Sequence, residues 1–529
     1  MKIKNIVSVY ATHSFLYGNG KIDKKEIISE IKRLNLNVAL KTLSLLCCLP
    51  ENDISIRNNY YNYLFANGRE ISWIKAKLDD KDLMSKQVLF SLWKWLLVYG
   101  NSDNNEENLQ NIDYNTEMVR IITFGLTVAD YLTNDTDIFT EYDTIPNFNF
   151  NSSINVRSSA ARSAYLFLDL AEDKRLYKHK EYMEIHVDFE SYYGFSIREF
   201  LSFLLGLIGT YNKDIKKEGG FLVIDLRRTL VEIKDTKKYK ILELLTSTLL
   251  EAKEWAKGTI EEPWNYIKFQ ENPLIKINDN HLIPLSNKFL LENLEVELIN
   301  KISKIYSGEK FFSFFGRIFE QYVIQFFEKS VELSKVKYEL FHEFKYKIDG
   351  NKRASPDIHL KLGNKLLVID AKKYVLRKKS YINAYEKSIK EDYKKIIVDS
   401  AMQINKRLFD LKSINHEMMN GVQEIYMLAV TYGNIPKINS MDLELEQEIR
   451  NAAEVPFVMF AQIDISEFEQ LCSLLCRRRP IFRFLDKYQK MKPRTSFNNY
   501  LYLNKIPIHQ MSFVKESFEK NLEKLESVF

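Results

Sequence analysis

Cysteine is scarce in this chain: four residues in 529, at Cys47, Cys48, Cys472 and Cys476. No C-x-x-C pair stands with a matching second pair, so the spacing offers no zinc site. Sparse thiols suit a reducing cytoplasm. Cys472 and Cys476 lie one helical turn apart in an apolar segment and read as core. Long hydrophobic runs are also missing. The longest, "FLSFLLGLIGTY" over 200–211, is too short to span a bilayer and reads as a buried helix. The opening "MKIKNIVSVYATHSFLYGNGK" has no long apolar stretch followed by a small-residue cleavage site. No membrane partner is therefore expected. "GNGK" at 18–21 lacks both the upstream glycine and the following hydroxyl residue of a phosphate-binding loop, which excludes a P-loop ATPase. The eight histidines form neither HxH nor HExxH. Charge of one sign is not in excess: the formal net charge of +5 neither requires nor excludes nucleic acid.

What is present describes a soluble globular chain, 45% apolar and 28% charged, long enough for two to four domains. Apolar residues at spacings of three and four, as in "VALKTLSLLCCL" and "KQVLFSLWKWLLVYG", predict helices through most of residues 1–260. Polar breaks fall at 101–116 and 133–159, and "GGFLVIDLRR" (219–228) reads as a hairpin. Residues 261–309 read as a connector that contains a hairpin, "PLIKI" and "HLIPL" around "NDN". Residues 286–333 read as a long helical segment. Strand-like runs follow at 337–348, 356–362 and 365–371, then a charged helix at about 383–413 and strands at 424–432 and "PFVMFAQID". The expected class is α+β: a mostly helical first half, an α/β core over 310–480, and a basic, then helical tail over 481–529.

The chemistry concentrates in "SPDIHLKLGNKLLVIDAKKY" (355–374). Asp357 begins one strand, and Asp370 ends the next after a Gly-Asn turn. Two acids so placed can meet at one sheet edge. Asp370 and Lys372 are two apart, so both point to one face. Cleaving a phosphodiester needs an activated water and neutralised phosphate charge. Mg²⁺ held by one or two carboxylates supplies both, and a lysine beside it can reach water or phosphate. Upstream, Glu320 shares a helix face with Gly316, Val323, Ile324 and Phe327. A carboxylate on such an apolar stripe needs a partner, and a metal or Lys372 would serve. Glu343 is a rival acid on the first strand, more in keeping with a surface pair. His359, two residues after Asp357, is a minor candidate.

Helix, three strands, helix, strand is the order of the PD-(D/E)xK nuclease core, and Pro356-Asp357 with Asp370-Ala371-Lys372 matches its motif. Over about 310–435 the chain resembles that superfamily. In particular, "PDIHL…LLVIDAKKY" resembles the nuclease subunit of modified-cytosine restriction systems (McrC-like). The resemblance implies an αβββαβ core, a Mg²⁺ (or Mn²⁺) site built from Glu320, Asp357 and Asp370, and Lys372 as the group that orients water. It implies a positioning role for Gln403, with Arg407, four residues on, and Lys406 contacting DNA. A separate NTP-hydrolysing subunit or other defence component would be the partner, and a homo-oligomer is left open. Basic residues follow the motif, nine Lys or Arg within 371–395, Lys373 among them. A second run at 477–494 holds Arg477, Arg478 and Arg479 with Phe482, Phe484 and Tyr488 interleaved. Such surface suits a phosphate backbone, and a solvated helix face is the bland alternative. The expectation is a cytoplasmic metal-dependent endonuclease acting on DNA in restriction or antiphage defence. Alternatives are a non-catalytic nucleic-acid-binding or scaffold subunit of a defence complex and a nuclease that processes RNA or mobile elements.

Overall fold

The computed structural model describes residues 10–49, 54–66, 83, 85–101, 113–132, 145–146, 156–215, 223–226, 236–306, 309–491, 495–507 and 511–526. Most of the polar breaks at 101–116 and 133–159, and most of the expected hairpin at 219–228, lie outside them; the described ends of the breaks include the starts of helices at Tyr114 and Val156. The chain is α+β and forms two compact units: residues 1–160, 186–301 and 524–529 in the first, and 161–185 and 302–523 in the second. The boundaries differ from those expected. The 261–301 stretch packs with the helical unit rather than standing as a connector, and 161–185 and 481–523 pack within the second.

In the first unit, α1 (Leu36–Cys48) and α2 (Lys86–Tyr99) are buried almost all round. This is the fate of a helix with no polar stripe. They pack with α3 (Tyr114–Ala129) and α4 (Leu249–Thr259). Leu40, Leu43, Phe90, Trp93, Leu96, Tyr266 and Phe289 lie in one core. Against them lies a four-stranded sheet of β1 (Ile224–Asp225), β2 (Thr246–Thr248), β3 (Leu274–Asn278) and β4 (His281–Pro284), in the order β1-β4-β3-β2. The antiparallel β3–β4 pair is the hairpin read from "PLIKI" and "HLIPL".

The second unit carries a five-stranded sheet. Its strands are β5 (Glu339–His342), β8 (Ile358–Leu362), β9 (Lys365–Lys372), β10 (Glu424–Thr431) and β11 (Met459–Asp464), in the order β11-β10-β9-β8-β5. β8–β9 is antiparallel, closed by a turn in which Gly363 takes φ +61°. β9, β10 and β11 are parallel. Burial on both faces explains the unbroken apolar runs "LLVI" and "IYMLAV". The run 337–348 is not one strand. It divides into β5 and β6 (Lys345–Ile348), and β6 pairs with β7 (Asn351–Ala354) as a separate two-stranded ribbon. The segment 286–333 is likewise broken, its last helix being α5 (Lys310–Glu332). α5 buries Phe311, Phe314, Phe315, Phe319, Phe326 and Phe327. At about 1.5–3 kcal/mol for each buried aromatic, it is a principal support of this unit. The charged segment 378–413 folds as short helices ending in α6 (Asp399–Ser413). α7 (Asn439–Ala452), α8 (Ile465–Leu475) and α9 (Ile481–Gln489) complete the elements used below. Among the described residues no helix is long and apolar enough to cross a membrane.

Candidate active site

The register of β8 against β9 pairs Ile358 with Ile369. One step further along the pair, Asp357 faces Asp370. Both are buried, at 8% and 2% exposure. The Asp357 Oδ2 accepts a 2.6 Å hydrogen bond from the backbone N–H of Ala371. Two buried carboxylates side by side oppose joint ionisation. The Asp357 carboxyl is pushed well above its ordinary value by burial and then by the charges of Asp370 and Glu320, with the Ala371 N–H and Lys372 pulling the other way.

Period two puts Val368, Asp370 and Lys372 on one face of β9, and α6 lies over that face. Lys372 Nζ stands 2.5 Å from Asp370 Oδ2 and donates to Gln403 Oε1 at 2.8 Å. The first contact is a close ion pair that is not aligned as a hydrogen bond. Arg407, one helical turn beyond Gln403, brings Nη1 to 3.4 Å from Asp370 Oδ1 and 3.5 Å from the Ser355 carbonyl. Asp357, Asp370, Lys372, Gln403 and Arg407 thus form one cluster at the end of β9. Lys406 points away from it: it pairs with Glu454 at 3.2 Å and covers the ring of Phe409. Lys373 lies on the opposite face of the sheet. There its stem would meet a Cβ on Gly316 at 3.3 Å. The glycine therefore admits the sheet close to α5, as its place on the helix suggested.

Glu320 differs from expectation. Its face of α5, with Ser313, Gly316, Arg317 and Ile324, is half-buried rather than core. Its partner is neither Lys372 nor a gathered carboxylate. Arg317, one turn earlier, holds it at 3.0 Å and also reaches Glu181 at 3.8 Å. The sequence offered that signal as an i, i+3 pair. The Glu320 charge still bears on Asp357, and its own carboxyl is raised by burial and by Glu343, against Arg317. Glu343 is exposed just beyond β5. His359 is fully buried beside Phe344, and burial pushes it down to about 3. It is a neutral core histidine.

The second basic run does not border this cluster. The cluster sits at the end of β9, whereas α8 turns back from the end of β11, so Arg477–Arg479 come at the start of the parallel strands. There Asp486 of α9 pairs with Lys365, the first residue of β9, at 3.1 Å. The eight residues of β9 put roughly 23 Å between the two ends. Arg477 donates to the Pro507 carbonyl, while Arg478 and Arg479 are exposed. Phe482 packs on Tyr426, and Tyr488 on Phe497 and Tyr500, so two of the interleaved aromatics are packing groups. In the first run, Arg377 is taken up by Asp392 and Glu391, Lys390 by Glu386 and Lys394 by Glu448.

Among the described residues no three acidic, histidine or cysteine side chains gather as a metal-ligand set. Asp357 and Asp370 by themselves fit a Mg²⁺ that keeps several waters: hard oxygen donors, adjacent, buried, and mutually repelling until a cation lies between them. Glu320 does not join them while Arg317 holds it. Comparison with protein-family models, with curated proteins and with solved structures returns no match.

Proposed function

We propose that the second unit is a metal-dependent phosphodiesterase, an endonuclease of the PD-(D/E)xK kind acting on DNA. The observation that carries this reading is the cross-strand placement of Asp357 beside Asp370, with Lys372 on the same face and held by Gln403. The order α5, β5, β8, β9, α6, β10, with β9 and β10 parallel, is the expected αβββαβ succession and supports the same reading.

In this reading Asp357 and Asp370 hold Mg²⁺ or Mn²⁺, which supplies Lewis-acid stabilisation of the phosphate charge and lowers the pKa of a water. The side chains of the chain do the rest. The Ala371 N–H holds one oxygen of Asp357 and so fixes the orientation of the carboxylate that would help hold the cation. Lys372 orients the attacking water and neutralises the non-bridging phosphate oxygens. Gln403 gives the lysine a second acceptor beside Asp370 and so fixes the direction of the ammonium. Arg407 can leave its 3.4 Å contact with Asp370 for a phosphate once a cation takes over that carboxylate. Glu320 stays in reserve as a third ligand that would have to exchange Arg317 for the metal. Restriction or antiphage defence is the setting this activity suits, with the helical unit recognising substrate or a separate NTP-hydrolysing subunit; that setting rests on the resemblance in 355–374 alone.

The test is incubation of the whole chain with plasmid DNA and with RNA, in Mg²⁺ and in Mn²⁺, beside the Asp370→Asn and Lys372→Ala variants. Cleavage of DNA abolished in both variants is expected. Undiminished cleavage in both would remove this site, and preference for RNA would reassign the substrate. Binding without cutting under every condition would favour the non-catalytic subunit.

A further inference from the structure

The β6–β7 ribbon, "KYKIDGNKRA" (345–354), belongs to neither sheet and lies between β5 and the acids. Asp349 and Gly350 close it at φ 49° and 78°, the pair of positive values that a tight two-residue hairpin turn demands. Its register pairs Lys345 with Ala354, Tyr346 with Arg353, Lys347 with Lys352, and Ile348 with Asn351. Paired residues share a face. Tyr346 and Arg353 face inward and both bind Asp410 of α6, at 3.0 and 2.5 Å. Lys345, Lys347 and Lys352 therefore share the other face, and all three are exposed.

That outward face is unusual. Lys347 and Lys352 stand directly opposite each other, an arrangement that costs stability in isolation. Lys345 follows two residues along, about 7 Å away. Among the described residues none of the three has an ion-pair partner. Among the described residues nothing repays this concentration of charge; a row of anions outside the fold would.

The ribbon also leads straight into the acids. Only Ser355 and Pro356 separate Ala354 from Asp357, and Arg407 Nη1 donates to the Ser355 carbonyl between them. Where the ribbon meets α6, a cavity of about 330 Å³ is lined by Arg353, Ala354, Gln403, Lys406, Arg407 and Asp410. Two of these, Gln403 and Arg407, belong to the site. The lysine face is turned away from this cavity, while Arg353 on the ribbon's inner face lines it and pairs with Asp410.

We propose that the β6–β7 ribbon is a clamp for the backbone of duplex DNA. Lys345, Lys347 and Lys352 bind successive phosphates of the duplex whose cleaved strand lies at Asp357, a few residues further along the chain, and Asp370. A two-stranded ribbon fits the major groove of B-form DNA, whereas the deep, narrow major groove of duplex RNA excludes it. The inference names the substrate class of the site proposed above and rests on that reading.

Binding measured in EDTA, where no metal-dependent cutting occurs, separates the two. The whole chain is titrated with a short duplex DNA between 50 and 200 mM salt, beside a K345A/K347A/K352A variant, the corresponding triple Lys→Arg variant and Lys372→Ala. Each lost phosphate contact lowers the salt slope by about 0.9. The triple alanine variant is expected to lose about 2.7 from the slope, so that wild-type affinity falls about forty-fold more than the variant's across that range. The arginine variant keeps the wild-type slope. All three lysines are surface residues, and unchanged amide exchange over 345–354 checks that the ribbon still folds. An unchanged slope in the alanine variant, no binding of duplex DNA by the wild type, or a loss confined to duplex RNA overturns the clamp. Loss of cutting in Lys372→Ala with binding intact upholds the nuclease reading whatever the ribbon does. Ribbon-dependent binding by a chain that cuts nothing upholds the clamp and overturns the nuclease reading.

Discussion

Asp357 is tied to the neighbouring strand by the N–H of Ala371, at 2.6 Å, between Asp370 and Lys372. The bond fixes the acid at the head of β8 against the end of β9 and so sets the spacing of the whole cluster. It also uses only one oxygen of the carboxylate. Asp357→Asn can keep that bond through its amide oxygen while losing the charge that Asp370 repels. The variant is expected to melt at or above the wild-type temperature, with plasmid cleavage reduced by roughly 10²-fold or more. A drop in melting temperature together with retained cleavage would mean that Asp357 serves the fold and not the chemistry.

Gln403 acts through Lys372 and is a positioning residue. With Gln403→Ala the ammonium loses its 2.8 Å acceptor and is free to settle on Asp370 alone. A loss of about 10–100-fold in kcat with little change in KM is expected, the usual scale for a supporting contact of this kind. Gln403→Glu restores an acceptor at the same place and should recover most of the loss. Equal rates for Gln403→Ala and the wild type would leave the amide without a role.

The cluster was legible in the sequence where local periodicity governs it. Period two places Lys372 beside Asp370, and a Gly-Asn turn returns Asp357 to face Asp370. Glu320 was less legible, because spacings of three and four do not separate a core stripe from the half-buried border next to it. Arg317 was the overlooked signal. The Asp-Gly turn at 349–350 was another: it marks a hairpin, and reading it would have paired 345–348 with 351–354 and exposed the lysine face. The remoteness of Arg477–Arg479 could not be read from composition. It follows from the direction in which a helix leaves a parallel strand, which only the assembled sheet defines.

Glu467 gives the second unit a pH dependence. It is buried in the first turn of α8, where it accepts from the N–H groups of Asp464 and Asn498. Burial, and then the charge of Asp464, raise its carboxyl from 4.5 to about 7, against Lys437. Between those two values the folded chain holds a proton that the unfolded chain has released. Stability therefore falls as pH rises from 4.5 to 7, and levels off above. The contribution is at most about 3 kcal/mol. Glu467→Gln removes the titration, so its stability relative to wild type should climb across that window whatever constant offset the substitution brings. Urea denaturation at intervals from pH 4.5 to 8 measures the difference. A constant gap would show that the buried carboxyl titrates at its ordinary value.

Tyr346 anchors the ribbon from within. It is 6% exposed, and its hydroxyl donates to Asp410 at 3.0 Å, beside Arg353. Tyr346→Phe keeps the ring and the Arg353 contact and removes one hydrogen bond to a buried carboxylate, so a cost of about 1.5–3 kcal/mol is expected. The loss should be local. A two-stranded ribbon has little stability of its own, so it should loosen before the five-stranded sheet does. Amide exchange would then speed up in 345–354 while β9 and β10 stay protected. Because the three outward lysines remain, the salt slope of DNA binding should stay near that of the wild type while overall affinity weakens. Uniform acceleration of exchange across the sheet would instead make the Tyr346–Asp410 contact a support of the whole unit, and the ribbon would be no separately ordered element.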